Sequence, residues 1–155
     1  MPADAYYAGA VTWAVANGIT DGMSDTEFGP DSTVTRGQAV TFLYRLAREP
    51  DVPVSDRFAD VASDAWYARA VAWAVANDIT DGMSDTGFEP DTPVTYAQML
   101  TFLARASRVT VSGANWAQDA IDWARNAGAT NGLSFAGEAA CPRGDVVYFM
   151  YNANV

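Results

Sequence analysis

Apolar residues return every three or four positions in successive stretches of this chain, and clusters of turn-forming residues separate the stretches. Tyr7, Ala10, Val11, Ala14 and Val15 form the first such stripe. That spacing predicts a helix opening at Asp4-Ala5-Tyr6-Tyr7 and stopping where Gly18 follows Asn17. The next residues, Ile19 to Asp31, are rich in Asp, Gly, Ser and Thr and read as a structured loop with Ile19 and Phe28 as its apolar anchors. A second helix is expected from Thr35. Thr35 and Gln38 match a capping box, in which the Thr side chain accepts a first-turn N–H and the Gln reaches back to the Thr backbone. Ala39, Phe42, Leu43 and Leu46 supply its buried face.

This helix, loop, helix pattern is a repeat. Trp13 to Leu43 reads WAVANGITDGMSDTEFGPDSTVTRGQAVTFL, and Trp73 to Leu103 reads WAVANDITDGMSDTGFEPDTPVTYAQMLTFL. A worn third copy runs from Trp123 to Met150, aligned through Trp116, Ile121, Gly128, Thr130, Gly132 and Ser134. The repeats are placed at 4–49, 58–108 and 113–155 of a single module, 1–155. Glu49 to Arg57, with Pro50 and Pro53, reads as a linker. Phe58-Ala59-Asp60-Val61 reads as a short extended lead-in, followed by a helix capped by Ser63 or Asp64. Asp78 stands where repeat one has Gly18, a poorer helix stop. In repeat three Pro142 replaces the capping Thr, with a place in the first helical turn expected for it. Asp145 replaces the capping Gln. No single repeat can bury both of its helices, so the three are expected to pack into one unit.

Composition narrows the function. Half the residues are hydrophobic, against disorder. The net charge is −10 and the nine basic residues are all arginine, which argues against nucleic acid or an anionic membrane surface as partner. Any anionic ligand must meet arginine locally. There is no histidine, and Cys141 is the single cysteine, so a thiolate metal cluster and an internal disulfide are excluded. Cys141 reads as a small core residue. No apolar run approaches the roughly 18 residues of a membrane span. The chain opens Met1-Pro2-Ala3-Asp4 without a signal peptide, and reads as a mature region or a fragment of a longer protein. Asp21, Asp25, Glu27 and Asp31 do not follow the order of a calcium-binding EF-hand loop and are explained by turn chemistry. No metal or cofactor is expected. No carboxylate pair is singled out for glycoside hydrolysis, so the chain is not read as an enzyme.

Phe58-Ala59-Asp60-Val61, Trp66-Tyr67, the Ala-Val-x-Trp-Ala runs, Ile-Thr-Asp-Gly, Phe-x-Pro-Asp and Thr35-Arg36-Gly37-Gln38 together resemble the S-layer homology domain, over essentially the whole chain. The resemblance implies an all-α fold of three helix-loop-helix repeats in a pseudo-threefold bundle with grooves between them. It implies non-covalent binding to a secondary cell-wall polysaccharide, often one with ketal-linked pyruvate, on the outside of a bacterial wall. Carried over by position, the signature arginines are Arg36 and Arg143. The aromatic residues expected to stack on sugar are Tyr6, Trp66 and Trp116. Ser24, Asp25, Ser84 and Asp85 lie in the loops that line grooves in the family. Tyr96 takes the arginine position of repeat two, and the third loop is shorter.

Read from the residues alone, arginine at a helix start suits an acidic sugar, because its planar fork matches a carboxylate and the helix start favours anions. A solvent-exposed arginine beside a cap is the plainer reading. Trp13, Trp73 and Trp123 read as core, and Thr35, Gln38, Thr95 and Gln98 as caps. Arg143-Gly144-Asp145 spells a tripeptide that integrins read, which chance and the repeat explain. Against the wall anchor stands a protein-interaction, surface-assembly or adhesion module with vestigial grooves, whose partner is a second copy or another surface protein.

Overall fold

The helical periodicity is realised, although the first helix begins at Ala8, after a turn through Ala5 to Tyr7, and Val15 of its stripe is exposed. A computed structural model describes residues 5–20, 28–54, 57–84 and 86–153. Among them six helices form: α1 (Ala8–Ala16), α2 (Arg36–Leu46), α3 (Ala68–Ala76), α4 (Tyr96–Ala106), α5 (Trp116–Asn126) and α6 (Arg143–Ala153). Both capping boxes are present. Thr35 Oγ1 accepts the Gln38 N–H at 3.1 Å while Gln38 Oε1 accepts the Thr35 N–H at 2.9 Å, and Thr95 and Gln98 repeat the pair. The helix stop after α1 also holds: Gly18 has φ +69° and the Ile19 N–H donates back to Ala14 O at 2.9 Å.

At Asp78 the same stop is made by a residue with a side chain, at φ 59°. Gly18 and Gly128, at φ +69° and +79°, hold the corresponding places. A left-handed aspartate is strained, and its charge faces the negative end of α3. Asp78→Gly is therefore expected to raise stability by about 0.5–1 kcal/mol, read as a higher denaturant midpoint at unchanged slope.

Three local expectations are corrected. Phe58 to Val61 is a turn rather than an extended lead-in, closed by the Val61 N–H on Phe58 O at 3.1 Å. The turn lets Asp60 fork two backbone N–H groups, Phe88 at 2.9 Å and Glu89 at 2.7 Å, so the motif holds the long loop rather than a strand. Neither Ser63 nor Asp64 caps α3. Its N-cap is Tyr67, without a side-chain cap, because a turn through Ala65 brings the chain into the helix. Pro142 lies just before α6, paired with Thr33 in a single β-bridge, and is not in the first helical turn.

The repeats close into a ring. The start of each second helix is seated on the loop of another repeat. Arg36 and Gly37 N–H donate to Thr92 O and Pro90 O, Tyr96 and Ala97 to Ala139 O and Gly137 O, Arg143 and Gly144 to Ser32 O and Pro30 O, all within 2.8–3.0 Å. These are the first-turn donors that a helix cannot satisfy internally. Single β-bridges tie the same segments: Thr35 with Pro93, Thr95 with Ala140, Thr33 with Pro142. Each first helix packs on a second helix of a neighbour: α3 on α2, α5 on α4, and α1 on α6. The last pairing joins the first repeat to the third.

A second tie recurs inside each repeat. Arg45 Nη1 donates to Ile19 O at 3.0 Å, Arg105 Nη1 to Ile79 O at 3.2 Å, and Asn152 Nδ2 to Ala129 O at 3.1 Å. The end of the second helix thus holds the chain just after the first. Phe88, Met99, Leu100, Leu103, Phe149 and Met150 are fully enclosed in the common core. Cys141 and Trp73 are buried, while Trp13 and Trp123 are partly buried against the core.

Candidate functional site

Arg36 leads α2 and points into the interface with repeat two. Its side chain is only 2% exposed. Nε donates to Phe88 O at 2.8 Å, and the guanidinium lies 4.7 Å from the centre of the Phe88 ring and 5.3 Å from that of Phe102. The fork is therefore fixed in place before any ligand arrives. Among the described residues no buried side-chain nitrogen or oxygen lacks a partner, and the Arg36 Nη atoms make no hydrogen bond there, so those atoms reach solvent. They do so at the base of a groove of about 410 Å³ walled by Thr80 to Met83, by Gln98 and Arg105 of α4, and by Trp116.

The electrostatics of this groove are those of an incomplete ion pair. The one ion pair among the described residues joins Arg69 and Asp51, both on the surface at 3.9 Å. Among the described residues no carboxylate lies at such a distance from Arg36. Burial depresses its pKa to about 10, partly offset by the fields of Glu89 and Asp60. The group remains cationic at neutral pH and poorly solvated, with no anion in contact among the described residues. A desolvated guanidinium with a free Nη edge is a strong donor site for a planar carboxylate.

The wall opposite is shaped by glycine. Gly82 has φ +86°, and a Cβ built there would stand 2.5 Å from Phe58 Cε1. Any other residue would displace the loop. The Ile-Thr-Asp-Gly and Phe-Ala-Asp-Val motifs are thus one unit across an otherwise distant stretch of chain.

Arg143 repeats the arrangement at the start of α6. It is 3% exposed, donates from Nε to Phe28 O at 3.1 Å and from Nη2 to Thr20 Oγ1 at 2.7 Å, and lies over Phe28 and Phe42 at 5.1 and 5.5 Å. Burial again lowers its pKa. The plainer expectation of solvent-exposed arginines is overturned for both, because phenylalanine rings on either side sequester the side chains. The integrin-type tripeptide is likewise not displayed: Arg143 and Asp145 are both buried.

At the third corresponding position the chain fills its own site. Tyr96 replaces the arginine, and its hydroxyl donates to Asp145 Oδ2. Tyr6, from the other end of the chain, donates to Asp145 Oδ1. Phe135 stacks on Tyr96, centroids 4.6 Å apart and nearly parallel at 10°, and Tyr148 meets Tyr6 edge-on at 5.0 Å. Tyr6 was expected as a sugar-stacking residue, and the structure engages it in this clasp, although half its surface remains open. No feature of local spacing points to the clasp, since its members are 139 and 49 residues apart.

Trp66 and Trp116 are exposed at 63% and 38%. The structure brings Trp116 to the Arg36 groove. Ser84 is exposed in the adjoining loop, its Oγ accepting the Gly87 N–H at 2.9 Å. Ser24, Asp25 and Asp85 lie outside the described residues. Sequence reasoning did not select Arg105, whose guanidinium walls the groove and donates to Ile79 O and Val111 O. Its recurrence as Arg45 in repeat one was the available signal.

Comparison with known proteins matches the S-layer homology domain at residues 2–40 and 57–100. A cell surface protein of Thermoanaerobacter kivui is 30% identical over 155 residues, 97% of this chain and 20% of that protein. A middle cell wall protein of Brevibacillus brevis is 31% identical over 144 residues, 89% of this chain and 14% of that protein. An amylopullulanase of Thermoanaerobacterium thermosulfurigenes is 31% identical over 117 residues, 70% of this chain and 6% of that protein. The chain thus spans a fifth or less of these relatives.

Proposed function

This chain belongs to the S-layer homology domain family, and from that premise we propose that it anchors a larger protein on the bacterial wall by binding an acidic secondary cell-wall polysaccharide. It is a binding module of the cell surface. Arg36 and Arg143 each receive a carboxylate of the glycan, such as that of a pyruvate ketal. Trp116 and the backbone of the 80–83 loop contact the sugar beside Arg36, and Trp66 is the corresponding aromatic for Arg143.

The observation that carries this reading is the state of Arg36: buried, held between two rings, and open to a groove through its Nη edge, with no carboxylate in contact among the described residues. A carboxylate docking there gains a charge-assisted, two-pronged hydrogen bond at little cost in side-chain entropy. The chain is acidic overall, so a polyanion is repelled at long range, and affinity rests on these enclosed cations.

Calorimetric titration with wall-glycan fragments, with and without the pyruvate ketal, tests the reading. Saturable binding that needs the carboxylate is expected. The stoichiometry should be two fragments per chain, because the third position is occupied by Tyr96, Asp145 and Tyr6. Failure of both fragment types to bind would overturn the proposal and favour a protein partner.

Affinity should also depend on alkaline pH in a defined direction. The bound carboxylate favours the protonated guanidinium, whereas the free site deprotonates at about 10. Binding at the Arg36 groove is then constant from about pH 6 to pH 9 and weakens as pH rises through that value, by up to about tenfold per unit. Titrations on either side of the transition check this.

A further inference from the structure

The interface between repeats two and three lacks an aromatic ring that its two counterparts have. The residue after the exposed aromatic is Tyr7 in repeat one, Tyr67 in repeat two and Ala117 in repeat three. Both tyrosines pack against the start of a neighbouring second helix, at a glycine. A Cβ built on Gly144 would stand 3.3 Å from Tyr7 Cδ2, and one on Gly37 would stand 3.4 Å from Tyr67 Cδ2. At the third interface the helix residue is Ala97 and the ring is missing. A cleft of about 520 Å³ opens in its place, lined by Thr95, Gln98, Asn115, Trp116, Ala117 and Gln118 among others.

The missing ring also changes Trp116. Tyr6 stands edge-on to Tyr7 at 5.0 Å, and Trp66 edge-on to Tyr67 at 5.0 Å. Trp116 has no such neighbour, and it lines both the cleft and the Arg36 groove, as does Gln98. The two cavities therefore adjoin at one indole. Their chemistry differs. The groove is lined by two cations, Arg36 and Arg105, together with the Asp81 carboxylate, while the cleft has the Glu138 carboxylate on its lining and no cation. Its volume lies within the range of about 300–1,000 Å³ common for ligand sites.

We propose that this cleft is a second subsite, which takes a neutral sugar unit of the same glycan whose acidic unit sits on Arg36. The proposal rests on the glycan-binding reading above. Uncharged donors and acceptors on Thr95, Gln98, Asn115 and Gln118 suit hydroxyl groups, and Glu138 disfavours a second acidic unit there. The missing ring is peculiar to this interface, because tyrosine stands at the corresponding position in the other two.

The test compares a pyruvylated monosaccharide with the same unit extended by one neutral hexose at either end. Both are titrated into the intact chain, into Ala117→Tyr, and into the double variant Ala97→Gly/Ala117→Tyr, which restores the full tyrosine and glycine pair of the other interfaces. Thermal melts verify folding. The expected result is that one of the two extended fragments binds the Arg36 site roughly tenfold more tightly than the monosaccharide. In the refilled variants that gain disappears, while affinity for the monosaccharide stays within about twofold. No gain from extension, or a gain that survives the refilled cleft, overturns the second subsite alone. If the monosaccharide and both extended fragments all fail to bind the intact chain, the anchoring proposal itself falls, and the subsite falls with it.

Discussion

Arg36→Ala is expected to abolish binding at one of two glycan sites, with a loss of about 2–5 kcal/mol, thirtyfold or more in affinity. The ligand carboxylate would lose its fork in a groove where water is already partly excluded. The same change also damages the fold. It removes the Nε donor from Phe88 O and leaves a hole between the Phe88 and Phe102 rings. Arg36→Lys separates the two effects. Lysine keeps the charge and much of the stem but presents a point rather than a planar fork. It should retain most of the stability and still lose about tenfold in affinity. Titration would show the stoichiometry fall from two to one for alanine, with the remaining site assigned to Arg143. Two sites of unchanged affinity in both variants would remove arginine from the recognition mechanism.

Asp145→Ala is expected to be the most destabilising single change at the ring closure, costing about 3 kcal/mol or more. The Asp145 side chain is the common acceptor for Tyr6 and Tyr96, and it is buried. Its removal strands the Tyr96 hydroxyl in an enclosed site, and it releases a link between the first and third repeats. Tyr6→Phe should cost less, about 1 kcal/mol, because that ring is half exposed and its hydroxyl competes with water. Asp145→Ala combined with Tyr96→Phe should recover part of the loss, since the stranded donor is then gone. Denaturant unfolding of the set measures each step. Full additivity would show that the three side chains do not act together.

The clasp also has an alkaline limit. Burial, and then the hydrogen bond and charge of Asp145, raise the pKa of both Tyr6 and Tyr96 above the ordinary value of 10.0. A folded-state pKa above the unfolded value means that the folded chain keeps a proton which the unfolded chain gives up. The stabilisation is complete below about pH 10 and is lost progressively above it. Tyr96→Phe should flatten that part of the stability profile.

The loss of binding and the closed third site have one origin, the identity of the residue that leads each second helix. Arginine at 36 puts a charge on the lining of a groove and arginine at 143 is likewise a buried cation, whereas tyrosine at 96 turns the position inward onto Asp145. Substituting arginine for Tyr96 alone would set a cation against the Asp145 carboxylate, so a third site is not regained by one change.

What the chain determined by itself is what lies within a turn or two of helix. Stripes at three and four residues placed the helices, Thr35 with Gln38 and Thr95 with Gln98 placed two of their starts, and Gly18 placed a stop. These relations join residues close in sequence, and the repeat multiplied the signal. Ser63 and Asp64 misled because a turn followed by Tyr67 can open a helix as well as a side-chain cap can. The ring decided everything that crosses between repeats. Whether Arg36 is a surface charge or an enclosed fork depends on Phe88 and Phe102, which reach it only when repeat two packs on repeat one. Whether Asp145 is a helix cap or a clasp depends on Tyr6 and Tyr96 arriving from two other repeats. An alanine at 117 reads as an ordinary helix residue until the neighbouring interfaces reveal the tyrosine ring whose place it leaves open. Local free energy selects secondary structure along the chain, whereas the burial and electrostatics of a site are properties of surfaces that meet only after the ring has closed.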